Sequence, residues 1–155
     1  PKTSDFSRYA GASIVTPNQK ETLEVVGICP DTDQDAEEAG RAILSRFNIE
    51  SILLTRAEQG MTFIDHDRPA FHIKAETREV FDVVGAGDTV IATLAVVLGS
   101  GASKEEASRI ANVAAGIVVG KRGTATVSAV EIHDALKHTA TTGTISTAAK
   151  IFTWN

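Results

Sequence analysis

Residues 82–89 read Asp82-Val83-Val84-Gly85-Ala86-Gly87-Asp88-Thr89, and they join two different kinds of sequence. Residues 79–84 are rich in β-branched and aromatic side chains, which predicts a short extended strand. Residues 87–98 are apolar over a helical length, and the glycines at positions 99 and 101 predict the end of that helix. This part of the chain is therefore predicted to be a strand that passes through glycines into an apolar helix.

The rest of the chain alternates strands and helices in the same way. Residues 12–16 predict a strand that ends at Pro17-Asn18, and residues 51–55 predict a second buried strand. Residues 61–64 and 70–73, separated by a turn, predict a β-hairpin. Further helices are predicted at residues 21–26, 35–47, 104–119 and 129–138, the third of them preceded by a capping box at Ser103 and Glu106. Buried strands that alternate with helices indicate an α/β architecture with a layered sheet and flanking helices.

The glycines at positions 85 and 87 favour a site for an anion. Glycine lets a ligand approach the main chain closely, and the first amides of a helix attract phosphate because they have no partner inside the helix. Asp88 lies at the mouth of this site, where a carboxylate can take a proton from a substrate hydroxyl. The alternative is a simple glycine turn in which Asp88 only caps the helix.

Two other segments follow predicted strands, where α/β proteins bind ligands. Asn18-Gln19-Lys20-Glu21 offers amide and carboxylate oxygens, which suit a hydrated Mg²⁺. The alternative is that Asn18 and Glu21 form a capping box. Residues 55–60 offer hydroxyl and amide groups to a nucleotide, or else form a solvated turn.

Polar residues also occur in and after the predicted helix at 104–119. Asn112 lies among apolar residues and needs a partner if it is buried, either an adenine or a neighbouring loop. Lys121, Arg122 and Gly123 suit a phosphate or ion site, or else they are the usual residues of a helix C-terminus.

Composition excludes several classes of function. The chain has 20 acidic and 15 basic residues, which argues against a nucleic-acid or anionic-membrane surface. No apolar run approaches the ~20 residues that span a bilayer. Cys29 is the only cysteine, so an internal disulfide is impossible and a reducing, cytoplasmic setting is expected.

Two common phosphate-binding motifs are also excluded. Residues 116–121 lack the glycine spacing of a P-loop and the Ser or Thr that follows its lysine. Val90 stands where a dinucleotide-binding fingerprint has its third glycine.

Taken together and in this order, the segments resemble the second half of a ribokinase-like (PfkB) sugar kinase. The resemblance implies ATP and Mg²⁺ as cofactors, with residues 18–21 organising Mg²⁺ and the ATP phosphates. It implies Asp88 as the catalytic base and the amides of residues 85–87 as an anion hole. It places Asp82 and the Val84 carbonyl at a monovalent-cation site, for which K⁺ is the candidate. Residues implied to contact the nucleotide are Asn18, Gln19, Lys20, Glu21, Thr55, Gly60, Asn112 and Gly123. Many sugar kinases have Gly where this chain has Ala57.

A narrower resemblance is to the heptose 7-phosphate kinases that are fused to an adenylyltransferase, and residues 116–124 point to this branch. It implies phosphorylation of the 1-hydroxyl of D-glycero-D-manno-heptose 7-phosphate, for ADP-heptose and lipopolysaccharide core biosynthesis. The sugar phosphate and ATP are then the partners of the chain. A homodimer and a downstream adenylyltransferase domain are expected in the full-length protein. Residues 1–138 are expected to be the C-terminal part of the kinase domain and residues 139–155 a linker, so the chain alone is expected to be inactive. The alternatives are another ribokinase-like sugar or nucleoside kinase, or a nucleotide-binding module without catalysis.

Overall fold

The computed structural model describes residues 5–75, 83–122 and 125–141, with side chains up to residue 138. The chain divides into two compact units, residues 1–75 and 76–155. Most of the predicted strand at residues 79–84 lies outside the described residues, as do Asp82 and Gly123.

The first unit combines two helices with a small antiparallel sheet. Its strands are β1 (Ser51–Thr55), β2 (Met61–Asp65) and β3 (Phe71–Ile73), in the order β1-β2-β3. The register pairs Leu53 with Phe63 between β1 and β2, and Phe63 with Phe71 between β2 and β3. The predicted buried strand and β-hairpin are therefore confirmed. The helices are α1 (Gln19–Val26) and α2 (Asp33–Phe47), and short 3₁₀ turns cover Phe6–Tyr9 and Ala57–Gln59.

The predicted first strand, residues 12–16, is an extended segment that runs parallel to β1. Val15 donates its amide hydrogen to the Ser51 carbonyl at 3.1 Å, and its own carbonyl accepts from the Leu53 amide at 2.9 Å. The pairing consists of isolated bridges instead of a continuous ladder. Pro17 explains this difference, because it comes next in the ladder and has no N–H to donate.

The core of the first unit lies between α2 and the sheet. α2 packs against β1 and β2. The approach is close, because a Cβ atom at Gly40 of α2 would come within 2.6 Å of the Ile64 side chain on β2. The main cluster of buried apolar side chains in this unit contains Phe6, Val15, Val25, Ile43, Leu44, Ile49, Ile52, Leu54 and Ile64.

The second unit consists, in its described part, of the helices α3 (Ala86–Gly99), α4 (Lys104–Val119) and α5 (Ala129–Thr141). α4 packs against both α3 and α5, and residues 110–118 of α4 are all buried. A helix that is enclosed in this way must be apolar on most of its faces, as α4 is. The predicted helices are confirmed, although α5 extends three residues beyond position 138. No helix in the described ranges is long and apolar enough to cross a bilayer.

Local capping determines where most of the helices begin. α1, α2 and α4 start with capping boxes, whose N-cap residues are Asn18, Thr32 and Ser103. α5 starts in the same way, because Ser128 and Glu131 exchange backbone and side-chain hydrogen bonds. Thr32 explains why α2 begins two residues before the predicted position. α3 differs, since its N-cap is Gly85, which has no side chain to donate or accept.

Candidate functional site

The first unit brings two of the predicted site segments together. Asn18, at the start of α1, forms a parallel bridge with Thr55, at the end of β1. The Pro17 carbonyl accepts a hydrogen bond from the Thr55 amide at 2.9 Å and one from the Thr55 hydroxyl at 3.4 Å. Close to this bridge, the Gln19 side chain donates to Gln59 Oε1, in the turn after β1, at 3.5 Å. Because parallel segments end at the same edge of a sheet, residues 18–21 lie beside residues 55–60.

Asn18 and Glu21 form the capping box that was one of the two predicted alternatives. Asn18 Oδ1 accepts from the Glu21 amide at 2.8 Å, and Glu21 Oε2 accepts from the Asn18 amide at 2.8 Å. The same amide and carboxylate are the oxygen donors that a hydrated Mg²⁺ prefers, so the residues fit that ion chemically. Lys20 projects into solvent, with its Nζ 4.0 Å from Glu24 Oε1. A Mg²⁺ role for Asn18 and Glu21 stays a prediction.

The turn between β1 and β2 has a constrained backbone. Ala57 has a left-handed φ of 51°, which is uncommon for a residue with a side chain. Gly60 has φ 92° and ψ −130°, a conformation open only to glycine. A Cβ atom at position 60 would also collide with the Ile73 carbonyl at the end of β3. Gly60 is therefore required by the fold itself, and its contact with a nucleotide stays a prediction.

Arg56, at the start of this turn, is a residue that the sequence analysis missed. Its side chain is almost fully buried. Nε donates to the Pro30 carbonyl at 3.1 Å, Nη2 to the Asp31 carbonyl at 3.2 Å, and Nη1 to Asp33 Oδ1 at 2.5 Å and to Thr62 Oγ1 at 3.2 Å. The only signal in the sequence was a cation directly after a buried strand. That signal does not identify partners more than twenty positions away.

The buried guanidinium also affects the ionisation of its acidic partner. The hydrogen bond from Arg56 is the main cause that lowers the pKa of Asp33, and the electrostatic interaction with His72 lowers that pKa further. His72 Nδ1 lies 3.6 Å from Asp33 Oδ1 and 3.1 Å from Thr62 Oγ1. Arg56, Asp33, Thr62 and His72 therefore form one polar network beneath the turn.

In the second unit, the predicted anion site lies at the N-terminus of α3. Gly85 has a left-handed φ of 86°, so the chain turns sharply as it enters the helix. The Gly85 carbonyl accepts from the Thr89 amide at 2.9 Å and from the Thr89 hydroxyl at 3.0 Å, which holds the first turn closed. The Ala86 amide donates to the Val83 carbonyl at 3.3 Å, a long hydrogen bond.

This N-terminus presents its polar groups to solvent. Gly87 and Asp88 are both exposed in the first turn of α3. A Cβ atom at Gly85 or Gly87 would meet no other atom within 4 Å, so the space in front of the backbone is open. The positive end of the helix dipole and the first-turn amides favour an anion there, next to the Asp88 carboxylate.

The remaining predicted site residues have different surroundings. Asn112 is buried in α4, and Val84 is exposed just before α3. Lys121 forms an ion pair with Glu131 on α5, with Nζ 2.6 Å from Oε1, and also donates to the Thr126 carbonyl at 2.7 Å. Lys121 thus secures the connection between α4 and α5.

The order and chemistry of these segments agree with a comparison to known families. Residues 2–131 match the model of the pfkB family carbohydrate kinases. The chain belongs to this family. The matched residues include both the Asn18–Thr55 edge and the start of α3, which the sequence analysis singled out.

Similar curated proteins include the bifunctional protein HldE of several bacteria. The Pasteurella multocida protein is 50% identical over 143 residues, which are 92% of this chain and 30% of that protein. The Shewanella sediminis protein is 54% identical over 136 residues, which are 88% of this chain and 28% of that protein. The chain thus spans about 30% of the length of the curated relatives it matches.

Solved structures of a phosphofructokinase-2 and a ribokinase share the fold. Phosphofructokinase-2 from Escherichia coli, in complex with potassium, matches with a TM-score of 0.78 and 21% identity, over 88% of this chain and 44% of that chain. Ribokinase from Arabidopsis thaliana, complexed with ribose and ATP, matches with a TM-score of 0.74 and 25% identity, over 81% of this chain and 41% of that chain. The predicted α/β, ribokinase-like class is confirmed.

Proposed function

We propose that this chain is part of an ATP-dependent kinase that phosphorylates the 1-hydroxyl of D-glycero-D-manno-heptose 7-phosphate. The observation that carries the proposal is the start of α3, where an uncapped glycine turn presents Asp88 in the first helical turn. Membership of the pfkB family supports a carbohydrate kinase. About half of the aligned positions are identical in the HldE proteins, and this supports a heptose 7-phosphate as the substrate. The sequence of residues 116–124 supports the same substrate.

The proposed reaction needs a base and an anion site close to the transferring group. The 1-hydroxyl oxygen attacks the γ-phosphorus of ATP, and Asp88 accepts the hydroxyl proton. The bond from the γ-phosphorus to the bridging oxygen breaks, and ADP leaves with the electron pair. The amides of residues 85–87 stabilise charge on the moving phosphoryl group. Phosphoryl transfer depends mainly on positioning and electrostatics, so these groups are chemically sufficient.

The nucleotide and its ions are proposed to bind at the residues that the family resemblance implies. Mg²⁺, held through water by Asn18 and Glu21, supplies charge neutralisation for the ATP phosphates. The nucleotide contacts are those implied by the family resemblance: Gln19, Lys20, Thr55, Gly60, Asn112 and Gly123. K⁺ is the proposed monovalent cation, at Asp82 and the Val84 carbonyl.

Further features are proposed for the full-length protein. It is a cytoplasmic homodimer that supplies ADP-heptose for lipopolysaccharide core synthesis. Residues 1–138 form the C-terminal part of the kinase domain, and residues 139–155 form a linker that leads to an adenylyltransferase domain. Support for this arrangement comes from the fraction of the HldE proteins that the chain covers.

The test is ADP release by the full-length protein with ATP, Mg²⁺ and heptose 7-phosphate. Asp88→Asn should lower kcat by about 100-fold or more, as expected when a general base is lost. Asp134, on α5, is also an exposed carboxylate, so Asp134→Asn is the control and should stay within about twofold of the wild-type rate. A near-wild-type rate for Asp88→Asn contradicts the role of this residue.

A substrate panel on the same protein tests the sugar. Turnover with a fructose phosphate, ribose or a nucleoside, but not with heptose 7-phosphate, would keep the kinase family and replace the proposed substrate. Absence of turnover with every sugar, despite ATP binding, would favour a nucleotide-binding module without catalysis.

A further inference from the structure

The buried cation at Arg56 calls for a physical explanation. Only 3% of its side chain is exposed, and its acidic partner Asp33 is 64% exposed. Removing a guanidinium from water is costly, and a well-packed apolar side chain often stabilises a fold equally well. Stability alone therefore does not explain the presence of a charge at this position.

The hydrogen bonds of Arg56 join two segments that are distant in sequence. Its guanidinium donates to the carbonyls of Pro30 and Asp31, in the connection between α1 and α2, and to the carboxylate of Asp33, the first residue of α2. Its own backbone amide donates to the Gly60 carbonyl at 2.8 Å, across the turn that follows β1. The planar fork of arginine reaches these acceptors in several directions at once, which the single ammonium of lysine cannot do.

The turn that Arg56 anchors is strained. Ala57 occupies a left-handed conformation at a cost of about 1–2 kcal/mol, and such strain persists only where the surroundings enforce it. Gln59 adds a second link to the same segment, because its Nε2 donates to the Asp31 carbonyl at 2.8 Å. The result is a rigid turn beside Asn18, at the edge where residues 18–21 and 55–60 meet.

We propose that Arg56 is a positioning residue for ATP: it holds the 56–60 turn in its binding conformation before the nucleotide arrives. A rigid site binds more tightly because less conformational freedom is lost on binding. Arg56 itself need not touch the nucleotide, because it fixes the positions of Thr55 and Gly60, at the two ends of the turn, which are the proposed nucleotide contacts. This inference rests on the proposed function, which locates ATP at this edge.

The test compares Arg56→Met, Arg56→Lys and Asp33→Asn in the full-length protein. Arg56→Met should raise KM for ATP about tenfold, with kcat and the sugar KM changed by less than about threefold. Arg56→Lys should raise KM for ATP nearly as much, because lysine keeps the positive charge but loses the planar group of donors that arginine presents. Asp33→Asn leaves the guanidinium in place and should raise KM for ATP about threefold. Asp33→Asn also keeps the test decisive if Arg56→Met does not fold.

Arg41→Met is the matched control. Arg41 also donates to backbone carbonyls, at Asp65 (3.3 Å) and Arg68 (3.1 Å), but it links α2 to the turn after β2. Its loss should lower Tm and leave KM for ATP within about twofold. An unchanged KM in both Arg56→Met and Asp33→Asn, or full rescue by Arg56→Lys, would overturn the inference. An equal rise in KM in Arg41→Met would also overturn it, since that would reflect general loss of stability.

Calorimetric titration with a non-hydrolysable ATP analogue, without sugar, separates this inference from the proposed function. Weaker analogue binding in Arg56→Met supports the positioning role even if the wild type phosphorylates no heptose. Turnover of heptose 7-phosphate with unchanged analogue binding in Arg56→Met overturns the positioning role alone.

Discussion

At the scale of single residues, Ala57 and Gly60 show how the same turn constrains two positions to different degrees. Both have positive φ angles. Ala57 is exposed and has room for its side chain, so its strain is confined to the backbone. Gly60 is buried, and any side chain there would collide with β3. Glycine is therefore favourable at position 57 and necessary at position 60.

We expect Ala57→Gly to stabilise the protein by about 1 kcal/mol, because glycine relieves the left-handed strain. Gly60→Ala should destabilise it by more than about 2 kcal/mol, through both strain and collision. Thermal or urea unfolding of the full-length protein measures both changes. Ala42→Gly within α2 is the control and should destabilise by about 1 kcal/mol. A loss of stability in Ala57→Gly similar to that of the control would contradict the prediction.

At the scale of elements, the connection between α4 and α5 is secured by one carboxylate. Glu131 accepts hydrogen bonds from Lys121 and from the backbone and hydroxyl of Ser128. These contacts, with Lys121 the largest cause, lower the pKa of Glu131 from its usual 4.5 to about 2. The ionised form is thus favoured in the folded protein. Its stabilising effect is complete above the unfolded pKa and is lost as the pH falls toward 2.

We expect a carboxyl NMR titration of the folded protein to give Glu131 a pKa of about 2. In Lys121→Met the pKa should rise toward 4.5, because the main stabilising contact of the ionised carboxylate is gone. Glu106, whose pKa is lowered by its own capping contact with Ser103, serves as the internal control and should not respond. A Glu131 pKa that is the same in both proteins would show that Lys121 is not its partner in solution.

At the scale of the whole molecule, the chain is a part of a larger kinase fold. It matches 41–44% of the length of ribokinase and phosphofructokinase-2 in the structural comparisons. A catalytic base and an anion site alone do not position a sugar, and positioning supplies much of the rate in such reactions.

We therefore expect residues 1–155 alone to release ADP at less than about 1% of the rate of the full-length protein. The comparison uses the same sugar, ATP and Mg²⁺ for both proteins. Circular dichroism of the shorter protein checks that its helices have formed. Comparable rates in the two proteins would contradict this expectation and would mean that these residues bind the sugar themselves.

Local interactions made much of the fold predictable from sequence. Helices α1, α2, α4 and α5 begin at Ser, Thr or Asn residues whose capping partners lie three positions away, so their starts are encoded nearby. The hairpin and the α/β class follow from periodicity and turns in the same way. The candidate site segments at 18–21 and 82–89 were singled out because each combines a predicted strand end, a predicted helix start and a polar motif within a few residues, and their roles stay predictions.

Contacts between distant residues were decided only by the tertiary structure. Arg56 is an ordinary cation in the sequence, and its burial depends on carbonyls more than twenty positions away. The ion pair of Lys121 with Glu131 on α5 is another contact that the sequence analysis did not predict. The pairing of Val15 with Ile52 and the collision that requires Gly60 are likewise long-range. Propensity and capping act within one turn of the chain, whereas burial and ion pairing depend on which distant segments the packed core brings together.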